Sequence, residues 1–237
     1  MRKVDQYRQT LKALANWDDL LLQESGLPGP RANLELAQAV ADEGDAALFH
    51  RYLALGPEEA PTNSPPVFLA VCGVVGVGRL LAEGQNDVLP LLRQAASDPR
   101  WRIREAVCMA LQRWGQADMD ALIEAMAGWS RGSFLEQRAA AAALCEPVLL
   151  SRPAQVERVL QILDEITAAV SVVQNRRDED FKVLRQGLGY CWSVAVAALP
   201  SIGQPLMEKW LASPDKDVRW IMKLDDQVFD EEFLPES

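Results

Sequence analysis

The chain has 237 residues, 49% hydrophobic and 24% charged, rich in Ala and Leu with few strand-like alternating runs. That is a globular, all-helical composition, large enough for a substantial core or a stacked array. The formal net charge is −10, and no basic run suggests wholesale nucleic-acid binding. Six of the excess carboxylates (Asp225, Asp226, Asp230, Glu231, Glu232 and Glu236) follow Lys223 with no Lys or Arg among them, so the body is only mildly acidic.

Residues 5–24 read as a first helix, with Tyr7, Leu11, Leu14, Ala15, Trp17 and Leu21 as its apolar stripe. Gly26 to Pro30 must turn, and Arg31 to Glu43 resumes as helix. Asp45 to Leu55 is a short helix, followed by a proline-rich loop from Gly56 to Pro65. Pro66 begins a helix to about Glu83 that is apolar almost all round, so it is buried on several sides. Its Gly73-Val74-Val75-Gly76-Val77-Gly78 run has no preceding strand and the wrong glycine order for a dinucleotide fingerprint. Small residues that let helices approach closely are the better reading. The longest uninterrupted apolar run, around Val67 to Val77, is shorter than a membrane span.

A short helix from Val88 to Ser97 leads into the most regular unit of the chain. Asp98 can cap, Pro99 suits a first helical turn, and Ile103, Ala106, Val107, Ala110, Leu111 and Trp114 share one face before Gly115 offers a stop. Residues 118–148 form another helix pair. Residues 153–174 and 178–199 are longer helices joined by a charged turn. Residues 203–212 and 216 to about 229 close the series. That makes six helix pairs of about 39 residues each.

The pairs are weakly self-similar. A shift of 34 residues places Arg104 on Arg138; a shift of 115 places Ile103-Arg104 on Val218-Arg219 and Pro99 on Pro214. The spacing Asp98-x-x-x-x-Ile103-Arg104-x-x-Val107 after a hydrophobic first helix resembles HEAT repeats. In the aligned C-terminal unit Ser213 replaces the Asp. Asp217-Val-Arg-Trp-Ile-Met-Lys223 is similar to the last repeat of bacterial HEAT-like proteins related to DNA-alkylation-repair repeat proteins. The resemblance implies an α-α superhelix: one HEAT-like α-solenoid domain over residues 1–229, with an acidic tail at 230–237 expected to be disordered. In related last repeats a longer basic helix follows the Lys; here Leu224-Asp225-Asp226 stands in its place.

Catalytic motifs are sparse. His50 is the single histidine, which removes His-based triads and multi-His metal sites, and no Walker loop, nucleophile elbow or CxxC pair is present. No cofactor is expected. Cys72, Cys108, Cys145 and Cys191 lie 36, 37 and 46 residues apart inside apolar helical runs and read as buried small hydrophobes. The first residues lack a signal peptide's apolar core, and a reduced, cytoplasmic protein is expected.

The resemblance also implies roles for particular residues. Arg104, Arg138 and Arg219 begin second helices, where HEAT-like proteins pair an Arg with an Asp; Asp98 and Asp217 are the nearest partners for a structural ladder. Second helices line the concave face of such arrays, which would expose Arg102, Glu105, Arg113, Arg131, Arg185, Trp220 and Lys223. Arg102, Arg113, Arg131, Arg185, Trp220 and Lys223 are therefore the binding candidates, suited to an acidic protein segment or a phosphate backbone. The leading expectation is a non-enzymatic scaffold for a protein partner. The alternative is a DNA-binding, alkylation-repair-like protein, with Trp101, Trp129 or Trp220 against a base or sugar and Arg102 and Arg131 on phosphates.

Overall fold

The computed structural model describes residues 2–223; capping chemistry and apolar periodicity divide these described residues into thirteen α-helices, with no strand among them. The chain separates into two compact units, Met1–Ala117 and Asp118–Ser237.

The first unit holds α1 (Lys3–Lys12), α2 (Asp18–Gln23), α3 (Leu34–Glu43), α4 (Ala46–Leu53), α5 (Pro65–Ala82), α6 (Leu89–Ala95) and α7 (Trp101–Ala117). It is built around α5, which packs against α2, α3, α4, α6 and α7. Fourteen of the 18 residues of α5 are buried. Each Val or Leu so covered contributes about 1.5–3 kcal/mol, so α5 supplies much of this unit's core. The glycine run does bring helices close together. A Cβ on Gly73 would stand 2.6 Å from the Leu53 backbone nitrogen of α4, and one on Gly78 would stand 2.5 Å from Ala110 Cα of α7.

By length and composition alone α5 is apolar enough to cross a membrane, although Arg79 interrupts its apolar run. Here its faces are covered by neighbouring helices.

Several boundaries differ from expectation for local reasons. The first helix is broken between Lys12 and Asp18. The Trp17 indole Nε1 turns back to donate to the Leu11 carbonyl at 2.9 Å, and Asn16 Oδ1 accepts the Asp18 N–H. Gly26 has φ +74, a left-handed conformation that favours glycine, and turns the chain toward the Asn33 cap of α3. Gly115 does not stop α7, which runs to Ala117; Asp118 then caps the next helix by accepting the Ala121 N–H.

The second unit holds α8 (Met119–Trp129), α9 (Phe134–Leu144), α10 (Pro153–Ser171), α11 (Glu179–Ala198), α12 (Pro200–Leu211) and α13 (Lys216–Lys223). Ser133 and Glu136 form a reciprocal capping box that starts α9. α11 packs against α9, α10, α12 and α13, and its fully buried Trp192 donates its indole N–H to Thr167 Oγ1 of α10 at 3.0 Å. All four cysteines are free and buried, as read from the sequence. The expected continuation of the last helix to about 229, and the tail at 230–237, lie outside the described residues.

Candidate functional site

The turn before α13 is fixed by side-chain bonds. The Asp215 N–H donates to Ser213 Oγ at 3.2 Å, and Asp215 Oδ1 accepts the N–H groups of Asp217 and Val218 at 3.0 Å each. Helical spacing then sorts the eight residues of α13 into two faces. Asp217, Val218, Ile221 and Met222 are buried, while Lys216, Trp220 and Lys223 are exposed and Arg219 is half-buried. Every residue of the outward face is thus a cation or a tryptophan.

A charge network holds that face from behind. Asp217, 7% exposed at its side chain, accepts from Arg185 Nη1 at 2.5 Å and from Arg176 Nη1 at 3.4 Å. Arg176 Nη2 also donates to Asp215 Oδ2 at 2.8 Å and to the Ser171 carbonyl at 3.2 Å. The Arg185 guanidinium lies 4.3 Å from the Trp220 ring centroid, so the indole, 39% exposed, is stacked on an arginine that Asp217 holds in place. Two arginines and two aspartates balance one another, which leaves Lys216, Arg219 and Lys223 as the net charge of the patch.

The structure therefore brings together three of the predicted binding residues, Arg185, Trp220 and Lys223. The others are dispersed. Arg102 was expected to be exposed but is buried, at 6% exposure. Its Nε donates to the Thr62 carbonyl at 3.0 Å and its Nη2 to the Gly29 carbonyl at 2.6 Å, clamping two loops. Arg113 pairs with Asp42 at 2.6 Å, and Arg131 with Glu165 at 3.3 Å.

The expected Asp–Arg ladder uses the named aspartates with different arginines. Asp98 makes a two-pronged pair with Arg100 (2.9 and 2.7 Å), whose Nη1 also donates to the carbonyls of Leu55 and Ala60. Arg104 Nη1 donates to the Asp98 carbonyl at 2.8 Å, and Arg219 Nη1 to the Ser213 carbonyl at 2.6 Å. Asp217 pairs with Arg176 and Arg185. Arg138 on α9 lies against Gly187 of α11. Sequence reasoning missed Arg100 and Arg176. Their aspartate partners lie within a turn for Arg100 and 39 and 41 residues away for Arg176, and only the first separation leaves a local signal.

The tryptophans divide in the same way. Trp114, Trp129 and Trp192 are core, and Trp210 donates to Asp164 Oδ1 at 2.7 Å. Trp101, 44% exposed, stacks on Arg102 at 4.2 Å and borders a groove of about 300 Å³ with Leu34, Val71 and Met109. A larger cleft, about 940 Å³, is lined by His50, Leu53, Ala70, Leu91 and Ile103, with Asp98 and Arg100 at its wall. That carboxylate and guanidinium are bonded to each other. Comparison with family models, with curated proteins and with solved structures finds no match.

Proposed function

We propose that the chain is a cytoplasmic, non-enzymatic HEAT-like α-solenoid of about six antiparallel helix pairs that binds a protein partner through its concave face, α13 included. The observation that carries the binding reading is Trp220: a large apolar ring, exposed and stacked on Arg185, ringed by Lys216, Arg219 and Lys223. Anchors of this kind dominate protein interfaces, and one held in place before binding loses little side-chain freedom. The three cations suit an acidic segment of the partner.

The repeat reading is supported by turn geometry at the 115-residue shift. Arg104 and Arg219 each donate to the carbonyl six residues back. In the same two turns Asp98 Oδ1 and Ser213 Oγ each accept the N–H two residues on. One turn device thus recurs in both units.

Nucleic acid is the second reading, and the engaged arginines weigh against it. Arg102, Arg113 and Arg131 already serve carbonyls or carboxylates, and residues 1–117 carry 12 Lys and Arg against 14 Asp and Glu. A phosphate backbone needs clustered free cations.

The test is affinity capture by wild-type and Trp220→Ala chains from cell lysate, each split into nuclease-treated and untreated halves. A stoichiometric protein that survives nuclease and is lost with Trp220→Ala is the expected result. Recovery of nucleic acid, with all co-purifying proteins lost on nuclease treatment, would overturn the reading.

A further inference from the structure

We propose that the groove lined by the start of α3 and by α7 binds the carboxylate of a small acid with an apolar body. The groove belongs to the first unit, holds about 300 Å³ and reaches in to Val71 of α5 and Ala106 of α7. That volume lies at the small end of ligand pockets. Its walls leave apolar surface uncovered: Leu34 is 46% and Trp101 44% exposed, and Met109 is half-buried. Two arginines, Arg31 and Arg102, line the groove against one carboxylate, Glu105, so the lining is net positive.

Arg102 carries the argument. It is 6% exposed, and its bonds all go to neutral oxygens: Nε to the Thr62 carbonyl, Nη2 to the Gly29 carbonyl and to Asn63 Oδ1. A guanidinium has five N–H groups, so the two on Nη1 remain open. Burial pushes the Arg102 pKa below its ordinary value, and no described carboxylate offsets it. A buried charge without a counter-ion is costly, and an anion that supplies one is held firmly. The Trp101 ring centroid lies 4.2 Å from the guanidinium, a stack that orients its plane before a ligand arrives. Arg31 is exposed on the same groove and makes no ion pair among the described residues, so it is free to share the carboxylate. A phosphate would bring a second charge against walls that are mostly apolar, which favours a monoanion. The proposal is independent of the α13 face.

The test is isothermal titration calorimetry on the full chain with two probes: 3-phenylpropanoate, and an acetylated dipeptide that ends in a free leucine carboxylate. A ligand this small binds with a Kd on the order of 1 mM. The amide of each probe keeps the body and removes the charge, and is expected to bind at least about tenfold more weakly. Arg31→Glu, a change on an exposed side chain, should weaken the acids by about tenfold at low salt. Arg102→Gln should abolish binding, with circular dichroism to check that the loops it clamps stay folded. If that variant unfolds, Arg31→Glu still decides. Binding of 3-phenylpropanoate alone assigns the groove to a free acid; binding of the dipeptide assigns it to a chain end. No saturable heat from either acid would overturn the proposal. Amides that bind as tightly as the acids would overturn it, because the groove would then be merely apolar. Unchanged affinity in Arg31→Glu, or inorganic phosphate that displaces the acids at equal concentration, would do the same.

Discussion

Replacing Gly78 with Ala should push α5 and α7 apart and destabilise the first unit. The added Cβ would stand 2.5 Å from Ala110 Cα, 2.5 Å from its carbonyl oxygen and 2.8 Å from its carbonyl carbon. Carbon atoms in contact settle at about 3.5–4.0 Å, so the helices must separate by about 1 Å at this crossing. The obstacle is backbone, which no rotamer change can move aside, so the overpacking cost belongs near the upper end of its usual range, about 3 kcal/mol. Alanine's better helix propensity returns about 1 kcal/mol. The net loss is about 2 kcal/mol, equivalent to a fall in Tm of about 8 °C for a unit of this size. Urea unfolding followed by circular dichroism, with hydrogen exchange in α5 to localise the effect, measures it. Gly128→Ala on α8 is the control, since nothing lies within 4 Å of its Cβ position. That change should stabilise by about 0.5–1 kcal/mol. A Gly78→Ala protein as stable as wild type would refute the account of this helix crossing.

Asp217→Asn should destabilise the second unit by about 3 kcal/mol in urea unfolding, because it removes the carboxylate between Arg176 and Arg185. It should also loosen Trp220, read as a fall in that residue's fluorescence anisotropy. Arg100→Ala takes the guanidinium from Asp98, which keeps only the residue-100 N–H, and leaves the carbonyls of Leu55 and Ala60 without this donor; faster hydrogen exchange across residues 55–64 should report it. The Arg51 hydrogen bond holds the Asp18 carboxyl below its ordinary value of 3.8, against desolvation, with the Tyr52 hydroxyl helping. A folded value below the unfolded one gives stability that is present above pH 3.8 and lost as pH falls through the folded value. Asp18→Asn should therefore lower Tm at neutral pH, with the gap from wild type closing in calorimetric scans on acidification below 3.8.

What could be read in the sequence was what neighbouring residues decide among themselves. The Asp98-Pro99 turn, the glycine run of α5 and the burial of the four cysteines all follow from local spacing. What could not be read depends on distant chain. Arg102 falls off the apolar stripe of α7 and so looks exposed; it is buried because loops 40 and 73 residues earlier in the chain wrap over it. The break after Lys12 needs the Trp17 indole to reach back to Leu11. Gly115 looked like a stop because glycine tolerates the left-handed conformation, yet its neighbours keep it helical. The Trp220 patch was legible as a set of residues, while its support was not, because Arg176 meets Asp217 from 41 positions away.

The burial of α5 sets an order of events during synthesis. α2, α3 and α4 are made before it, so it has partners on those sides when it emerges, but α7, which covers Gly78, is complete only at Ala117. In that interval the nascent chain shows an open flank of an 18-residue apolar helix, the kind of segment that membrane-targeting machinery engages and that chaperones hold. A circular permutation that began the chain at α5 would remove these early covers. Such a permutant would yield aggregated or membrane-bound material even though every native contact remained available to it.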